Sequence, residues 1–169
     1  MATEAHELAD WLAAEVWPFH AAPRVHPDTV LRGVADGSYD GPAARTFWII
    51  ADDARVGIVR LFDLDDGPMF DLRIRAADRG RGFGAHAVEW LTAYLFTEFP
   101  QFNRIEGHTR HDNIGMRRVF RRNGYVKEAH HRQAWPAEDG LVDSVGYAIL
   151  LGDWLSGTAT RPAFDDDPR

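Results

Sequence analysis

The segment 79–84 of the chain, RGRGFG, combines three glycines with two arginines. Glycines at the start of a helix let successive backbone N–H groups approach a phosphate, and the helix dipole favours the same negative charge. Arg79 and Arg81 add full positive charges beside those amides. This glycine segment therefore predicts a diphosphate site. Alternatively, the glycines have only a structural role and permit a tight turn with close helix packing.

Read from Gly80, the same letters also match GxGxxA, a variant of the dinucleotide-binding fingerprint. That fingerprint needs its glycine turn directly after a parallel strand, and an acidic residue about 20 positions further on, at the end of the next strand. Here residues 76–79 separate the predicted strand from Gly80, and Glu98 precedes the next predicted strand. The surrounding sequence therefore argues against a dinucleotide site.

The composition of the whole chain limits the classes of function. Its 169 residues suit one domain, and its net charge of −7 argues against general nucleic-acid binding. No apolar run is long enough to span a membrane, and the N-terminal residues lack the positive charge of a secretory signal. The chain has no cysteine, which removes disulfides, thiolate metal sites and a cysteine nucleophile. We therefore expect a cytoplasmic protein.

The elements that must position the glycine segment are helices and strands in alternation. Helical periodicity predicts two helices at the start, separated by a proline-containing segment. A meander of three strands leads to the glycine segment, and a helix over 82–96 follows it. A further strand, a helix capped by Asp112 or Asn113, and two long strands complete the order. We predict a single α+β domain over 1–151 and a loose, polar tail over 152–169.

The sequence resembles the GNAT superfamily of N-acetyltransferases in two segments. RGRGFG matches the (Q/R)xxGx(G/A) loop with which that family binds the diphosphate of acyl-coenzyme A. RIEGHTRHDNIGMRRVFRRNGYVKEA is similar to the second family segment, a strand and an asparagine-led helix ending in GF or GY, here Gly124 and Tyr125. This form and the late D…GYAIL are most similar to the RimJ/RimL-like branch. The resemblance spans about residues 47–150 and makes 1–151 an acetyltransferase domain.

The resemblance implies a GNAT-like fold, with a mixed, mostly antiparallel central sheet flanked by helices. The family usually opens with a strand before its first helix, whereas this chain starts at the helix, so we expect that strand to be lacking. The resemblance also implies an acyl-CoA-dependent N-acetyltransferase that uses acetyl-CoA or another acyl-CoA as co-substrate and no metal. A non-catalytic acyl-CoA-binding sensor on the same fold is the alternative.

The resemblance further implies which residues hold the coenzyme. In the family, the strand before the glycine loop carries a bulge whose amides pair with the pantetheine arm, and the amide near Ile74 would polarise the thioester carbonyl. Asn113 matches the asparagine that contacts this arm, and Arg117 and Arg121 lie along its helix toward the phosphates. The implied coenzyme-binding residues are Leu72, Ile74, Arg79, Gly80, Arg81, Gly82, Phe83, Gly84, Asn113, Arg117 and Arg121.

Direct transfer to an amine, which the resemblance implies, needs a base. An alkyl amine with a pKa of about 10 is mostly protonated at neutral pH and must lose that proton before it attacks. Glu106 and His108 alternate onto one face of their strand, at positions where some family members carry a glutamate. They are the candidate catalytic residues, with pairing of Glu106 to an arginine as the alternative. Phe120 stands where many members have a tyrosine that protonates the leaving thiolate.

The acceptor amine is expected at the loop after the first helix, where the family lines its acceptor pocket. Aromatic side chains there would form a wall, or merely a hydrophobic plug, and Asp71 or, more weakly, Asp143 would grip an ammonium group. The candidate acceptor-binding residues are Trp17, Phe19, His20, Trp48 and Asp71. The amine stays open between a small metabolite, an antibiotic and a protein or peptide N-terminus, and a homodimer also stays open. The histidine spacing argues against a metal site.

Overall fold

The computed structural model of the protein describes residues 4–163. In this range, helices pack on both faces of one β-sheet and against a second β-sheet. The helices are α1 (Ala5–Ala13), α2 (Pro27–Ala35), α3 (Phe83–Glu98), α4 (Ile114–Arg122) and α5 (Leu151–Ser156). The strands are β1 (Arg45–Ala51), β2 (Ala54–Phe62), β3 (Met69–Ile74), β4 (Arg104–Arg110), β5 (Val126–Ala137) and β6 (Gly140–Leu150), and a 3₁₀ turn spans Ala76–Asp78.

The strands form two three-stranded antiparallel sheets, in the orders β1–β2–β3 and β4–β6–β5. The sheets approach each other at β3 and β4, where the N–H of Glu106 donates to the carbonyl of Pro68 at 3.4 Å. Farther along β3, Leu72 and Ile74 border a cavity. The predicted α+β fold with a mostly antiparallel arrangement is confirmed, and α1, rather than a strand, comes first in the described range.

Two hydrophobic clusters hold these layers together. Neighbouring residues of a strand point to opposite faces, and Ile58 and Val59 of β2 accordingly enter different clusters. Val59 packs in the cluster that contains Leu91 of α3 and Phe120 of α4. Ile58 packs in the cluster that contains Leu8 of α1. The pair α3–α4 therefore covers one face of the first sheet, and α1–α2 covers the other.

Local sequence determines how the two helices nearest the cavity begin. Gly82, just before α3, has a φ of +91°, a conformation that glycine adopts without steric cost. Asn113 caps α4, because its side-chain oxygen accepts a hydrogen bond from the Met116 N–H at 3.1 Å. The predicted cap is thus Asn113, while Asp112 pairs with Arg110 at 2.7 Å.

The segment after β6 differs from the expectation of a loose tail. Its first residues form α5, in which Asp153 is buried. The Asp153 carboxylate accepts hydrogen bonds from the Thr160 N–H at 2.9 Å and from the Thr158 hydroxyl at 3.2 Å. The expectation is therefore wrong for 152–160, because a buried carboxylate ties that stretch to its own helix. Residues 164–169 lie outside the described range.

Candidate active site

A cavity of about 520 Å³ lies between the end of β3 and α4. Its walls come from β3, the glycine segment, the first turn of α3, one face of α4 and the loop between α1 and α2. Residues predicted for the coenzyme and for the acceptor therefore meet around one space. The predicted residues that line it are Trp17, Phe19, His20, Leu72, Ile74, Arg79, Gly80, Gly82, Phe83, Gly84 and Asn113.

The glycine segment presents bare backbone to open space. Gly80 and Gly82 have φ angles of +78° and +91°, in the left-handed region. A Cβ added at either residue would meet no heavy atom within 4 Å. At Gly84, by contrast, a Cβ would contact Leu72 and Val119 at 3.6 and 3.8 Å. Since the first N–H groups of a helix lack intrahelical partners, α3 begins at a place where an anion can reach those donors.

The two arginines of the glycine segment have different surroundings. Arg79 lines the cavity, and its Nε donates to the carbonyl of Ile74 at 3.0 Å. Arg81 pairs with the buried Asp78 at 2.9 Å, and its guanidinium lies 4.9 Å from the centroid of the Phe83 ring. Arg81 is not among the described lining residues. Arg79 is therefore placed to meet an anion, whereas Arg81 braces the 3₁₀ turn.

The arginines predicted on α4 need a correction. Arg117 does not line the cavity, because its Nη1 donates to the carbonyl of His111 at 2.8 Å. Among the described residues, the α4 arginines that line the cavity are Arg118 and Arg122. The helix repeats every 3.6 residues or so, which puts these two on one face and turns Arg117 and Arg121 away from it. The cationic side chains that face the cavity thus stand one position later than predicted.

The loop between α1 and α2 forms the aromatic wall of the cavity. Trp17 is buried, and its indole Nε1 donates to the carbonyl of Leu12 at 2.8 Å. Arg110 of β4 donates to the carbonyl of Pro18 at 3.0 Å, and its guanidinium lies 5.5 Å from the centroid of the Phe19 ring. These contacts fix the loop to α1 on one side and to the second sheet on the other.

His20 and Asp71 are hydrogen-bonded to each other at this wall. Nε2 of His20 lies 2.9 Å from Oδ1 of Asp71, and Nη2 of Arg73 lies 2.9 Å from Oδ2. Burial alone would raise the pKa of Asp71, but the hydrogen bond from His20 and the charge of Arg73 hold it well below its usual range. Nδ1 of His20 is buried and has no hydrogen-bond partner among the described residues. Both Asp71 oxygens are engaged, so this carboxylate is not a free grip for an ammonium group.

Trp48 is not among the described residues that line the cavity, which corrects its predicted place in the acceptor wall. Its ring packs edge-on against Trp11 with centroids 5.5 Å apart, and the Arg55 guanidinium lies 4.3 Å from its centroid. Alternate residues of a strand face opposite sides, and Trp48 faces the side that α1 and α2 cover. It therefore belongs to the hydrophobic cluster beneath those helices.

Glu106 and His108 share one face of β4, as predicted, with Nε2 of His108 lying 2.5 Å from Oε1 of Glu106. Glu106 also accepts from Arg104 at 2.8 Å, and Arg104 binds Glu128 at 2.6 Å. Burial would raise the pKa of Glu106, but hydrogen bonds from Arg104 and His108 lower it. Neither Glu106 nor His108 is among the described lining residues. The two candidates meet, but in a partly exposed ion-pair network beside the cavity.

A match to a protein-family model shows the family of this chain. The model for the acetyltransferase (GNAT) domain matches residues 2–126, well over half of the chain. The chain belongs to the GNAT acetyltransferase family. The protein is accordingly an acyl-CoA-dependent N-acetyltransferase, with acetyl-CoA or another acyl-CoA as its co-substrate. The predicted family and class of enzyme are confirmed.

Solved structures of similar fold include acetyltransferases with different acceptors. Spermidine N-acetyltransferase from Vibrio cholerae, in complex with CoA and spermine, has a TM-score of 0.78 and 18% identity, covering 90% of this chain and 93% of that one. RimL, a ribosomal L7/L12 α-N-protein acetyltransferase in complex with coenzyme A, has a TM-score of 0.73 and 15% identity over 89% and 90%. A probable acetyltransferase has a TM-score of 0.72 and 21% identity over 90% of each chain. At these identities the likeness concerns the fold alone, and no curated protein matches the sequence significantly.

The cavity of this GNAT acetyltransferase fits the coenzyme that the family uses. Because Gly80 and Gly82 have no side chains, the space next to them stays open. This space lies at the N-terminus of α3, which is the positive end of the helix dipole. Arg79, Arg118 and Arg122 border the same space and supply the charge that a diphosphate and a ribose phosphate require. The arrangement suits a polyanion at one end, with apolar side chains of β3 leading away from it toward the aromatic wall.

Phe120, which replaces the family's phenol, is part of the core of this GNAT acetyltransferase. Its ring is fully buried and stacks on Tyr147 with centroids 4.7 Å apart. A Cβ on Gly107 would lie only 2.7 Å from that ring, so α4 and β4 pack closely here. The Tyr147 hydroxyl lies 3.5 Å from Nε of Arg117. The side chain of Phe120 therefore packs in the hydrophobic core and has no hydroxyl that could donate a proton.

A metal site and a membrane span are not found in residues 4–163. No group of three or more His, Cys, Asp or Glu side chains in that range could hold a metal ion. His130 instead pairs with Asp143 at 2.7 Å, and its ring stacks on His111. Asp143, the weaker acceptor candidate, is thereby engaged between β5 and β6. None of the helices in this part of the chain has the length and apolar character needed to cross a membrane.

Proposed function

We propose that the protein transfers the acetyl group of acetyl-CoA to a primary amine by direct attack in a ternary complex. The observation that carries this proposal is the continuity of the cavity, which joins the glycine segment to the aromatic wall around His20. A donor anchored at one end can therefore present its thioester to an acceptor at the other. The chain has no cysteine, which excludes a cysteinyl acyl-enzyme as the route.

Charge in the cavity is arranged for the donor. The chain as a whole carries a net charge of −7, yet Arg79, Arg118 and Arg122 gather around the glycine segment. Asp78 is the carboxylate among the described lining residues, and it is neutralised by Arg81 at 2.9 Å. An anionic coenzyme would thus meet a local excess of positive charge on an otherwise acidic protein.

The acceptor end favours an amine with an apolar body over a polyamine. Trp17 and Phe19 supply aromatic surface there, and Asp71 is already held by His20 and Arg73. A polycation needs free carboxylates, whereas these contacts leave Asp71 without an unengaged oxygen. We therefore favour a monoamine with an aromatic or aliphatic group, or a peptide N-terminus with an apolar first residue.

Thiol release from acetyl-CoA tests this function. We expect release that depends on the added amine, strongest with phenethylamine or a peptide bearing a free N-terminal methionine and weaker with spermidine. Mass spectrometry should find one acetyl group on the amine, and an N-terminally blocked peptide is the matched control. If acetyl-CoA binds but no amine supports release, the protein is an acyl-CoA sensor and the proposal is wrong.

A further inference from the structure

We infer that His20 is the general base of the transfer and that Asp71 is its positioning residue, an assignment that rests on the proposed function. His20 lines the cavity on the aromatic wall, at the end away from the glycine segment. Its ring combines a hydrogen-bonded nitrogen with a buried, unpaired one. No other histidine among the described residues lines this cavity.

The hydrogen bond to Asp71 decides which nitrogen of His20 can act. An ionised carboxylate only accepts hydrogen bonds, so the proton of the neutral imidazole must lie on Nε2, which is 2.9 Å from Oδ1 of Asp71. Nδ1 is then the unprotonated nitrogen, and its lone pair has no partner in residues 4–163. A buried acceptor without a partner is costly, and a protonated nitrogen of the substrate would provide that partner.

Several contacts hold the pair in place. Arg73 donates to Oδ2 of Asp71 through Nε at 3.0 Å and Nη2 at 2.9 Å, which fixes the carboxylate. The backbone N–H of His20 donates to the carbonyl of Trp17 at 3.0 Å, and the two rings meet edge to face with centroids 6.1 Å apart. Arg73 thus orients Asp71, and Asp71 orients the imidazole of His20. Carboxylates orient the catalytic base in the same way in other group transfers.

The proton balance of the step is simple. An amine that arrives as ammonium first loses one proton to solvent through His20. His20 Nδ1 then takes a second proton from the amine nitrogen as that nitrogen forms its bond to the thioester carbonyl carbon. When the C–S bond breaks, its electron pair stays on sulfur, and the proton held by His20 passes to the thiolate. The products are the amide and the free thiol, and His20 is neutral again.

Other charged groups near His20 are already paired. Asp71 and Arg73 of β3 bind each other, and Arg110 of β4, which reaches the same loop, binds Asp112 at 2.7 Å. In the 3₁₀ turn, Asp78 binds Arg75 at 3.2 Å as well as Arg81. These pairings leave His20 as the candidate base on this wall.

The experiment compares His20→Gln with His6→Gln, an exposed histidine on α1, in the acetyl-CoA assay with an amine that the wild type accepts. We expect His20→Gln to lower kcat about 100-fold or more, with the Kd for acetyl-CoA within about twofold of the wild type. The acid limb of kcat, measured at saturating amine, should disappear. Asp71→Asn should retain part of the activity, with its acid limb moved to lower pH, because the imidazolium loses a negative neighbour.

His20→Ala provides an independent measurement. Added imidazole should restore part of its turnover in a concentration-dependent way, and His6→Ala should not respond. The assignment is overturned if His20→Gln turns over within about threefold of the wild type with its acid limb intact, or if imidazole fails to rescue a His20→Ala variant that binds acetyl-CoA. An inactive wild type that binds acetyl-CoA would instead overturn the proposed function itself, so the two failures are distinct.

Discussion

Nη1 of Arg117 lies 2.8 Å from the backbone carbonyl oxygen of His111, and Arg117 is not among the described residues that line the cavity. The same helix presents Arg118 and Arg122 to the cavity. Of the four arginines on this short helix, two line the cavity and two do not, although their charges and their distances along the chain from Asn113 are similar. This contrast makes the coenzyme site testable with matched variants.

We predict that Arg118→Ala and Arg122→Ala each weaken acetyl-CoA binding about tenfold, because each removes a charge-assisted contact worth about 1.5 kcal/mol. Arg121→Ala, which removes the same charge from the same helix, should change the Kd less than about twofold. Isothermal titration calorimetry at two salt concentrations measures both effects, and the contrast should shrink at high salt. Equal losses for Arg121 and Arg118 would show that only the overall charge of α4 matters.

The partly buried carboxylate of Asp71 should make stability depend on pH. Its pKa is held below the usual range, so its contribution is fully present above the unfolded pKa of about 3.9 and is lost as pH falls through the lower, folded value. We predict that Asp71→Asn lowers the free energy of unfolding at pH 7 by about 1.5–3 kcal/mol, and that the difference from wild type narrows below pH 4 or so. Urea unfolding of both proteins at pH 7, 5 and 3 measures this difference in the free energy of unfolding. A constant difference at all three pH values would contradict the assigned charge state.

The network on β4 should matter less for turnover than the cavity does. Glu106→Gln and His108→Gln should lower kcat less than about tenfold, against about 100-fold for removal of a general base. Breaking a partly exposed ion pair should also cost under about 1 kcal/mol of stability. Steady-state kinetics on both variants measures kcat. A loss of kcat as large as that of His20→Gln would indicate that the general base lies on β4 instead.

Close packing at Gly107 predicts a sensitive position outside the cavity. A Cβ there would lie 2.7 Å from Phe120 and 3.1 Å from Phe70, so Gly107→Ala should destabilise the protein by about 1–3 kcal/mol. Gly67→Ala, where a Cβ meets nothing within 4 Å, is the control and should be nearly neutral. Thermal unfolding compares them, and Phe120→Leu in the Gly107→Ala background should recover part of the loss. Equal stability of the two single variants would mean that Phe120 moves aside freely.

Local signals in the sequence were sufficient to place the glycine segment and the start of α4. The glycine segment and the Asn113 cap follow from the preferences of a few neighbouring residues, and both lie where expected. The α4 arginines were misplaced because the exposed face of a helix depends on its packing. Counting from Gly115 and Val119, which line the cavity, would have selected Arg118 instead of Arg117.

The acceptor side was less predictable because it depends on contacts between distant parts of the chain. His20 and Asp71 were both expected near the acceptor, but they are 51 positions apart, and no local pattern indicates that they bind each other. Trp48 was expected in the wall, yet which way a strand residue faces depends on which sheet face the helices cover. Side-chain partners across the fold were thus the part that the sequence left undetermined.

The binding of acetyl-CoA to Gly82→Trp is the most direct test that this cavity holds the donor. Gly140→Trp is the matched control, because Gly140 also has a positive φ (+121°) and open space around its Cβ, but lies at the β5–β6 turn. Both variants should lose about 1–2 kcal/mol of stability from backbone strain. Calorimetry should find wild-type affinity for Gly140→Trp and no measurable binding for Gly82→Trp. Wild-type affinity in folded Gly82→Trp would contradict the assignment of the cavity to the coenzyme.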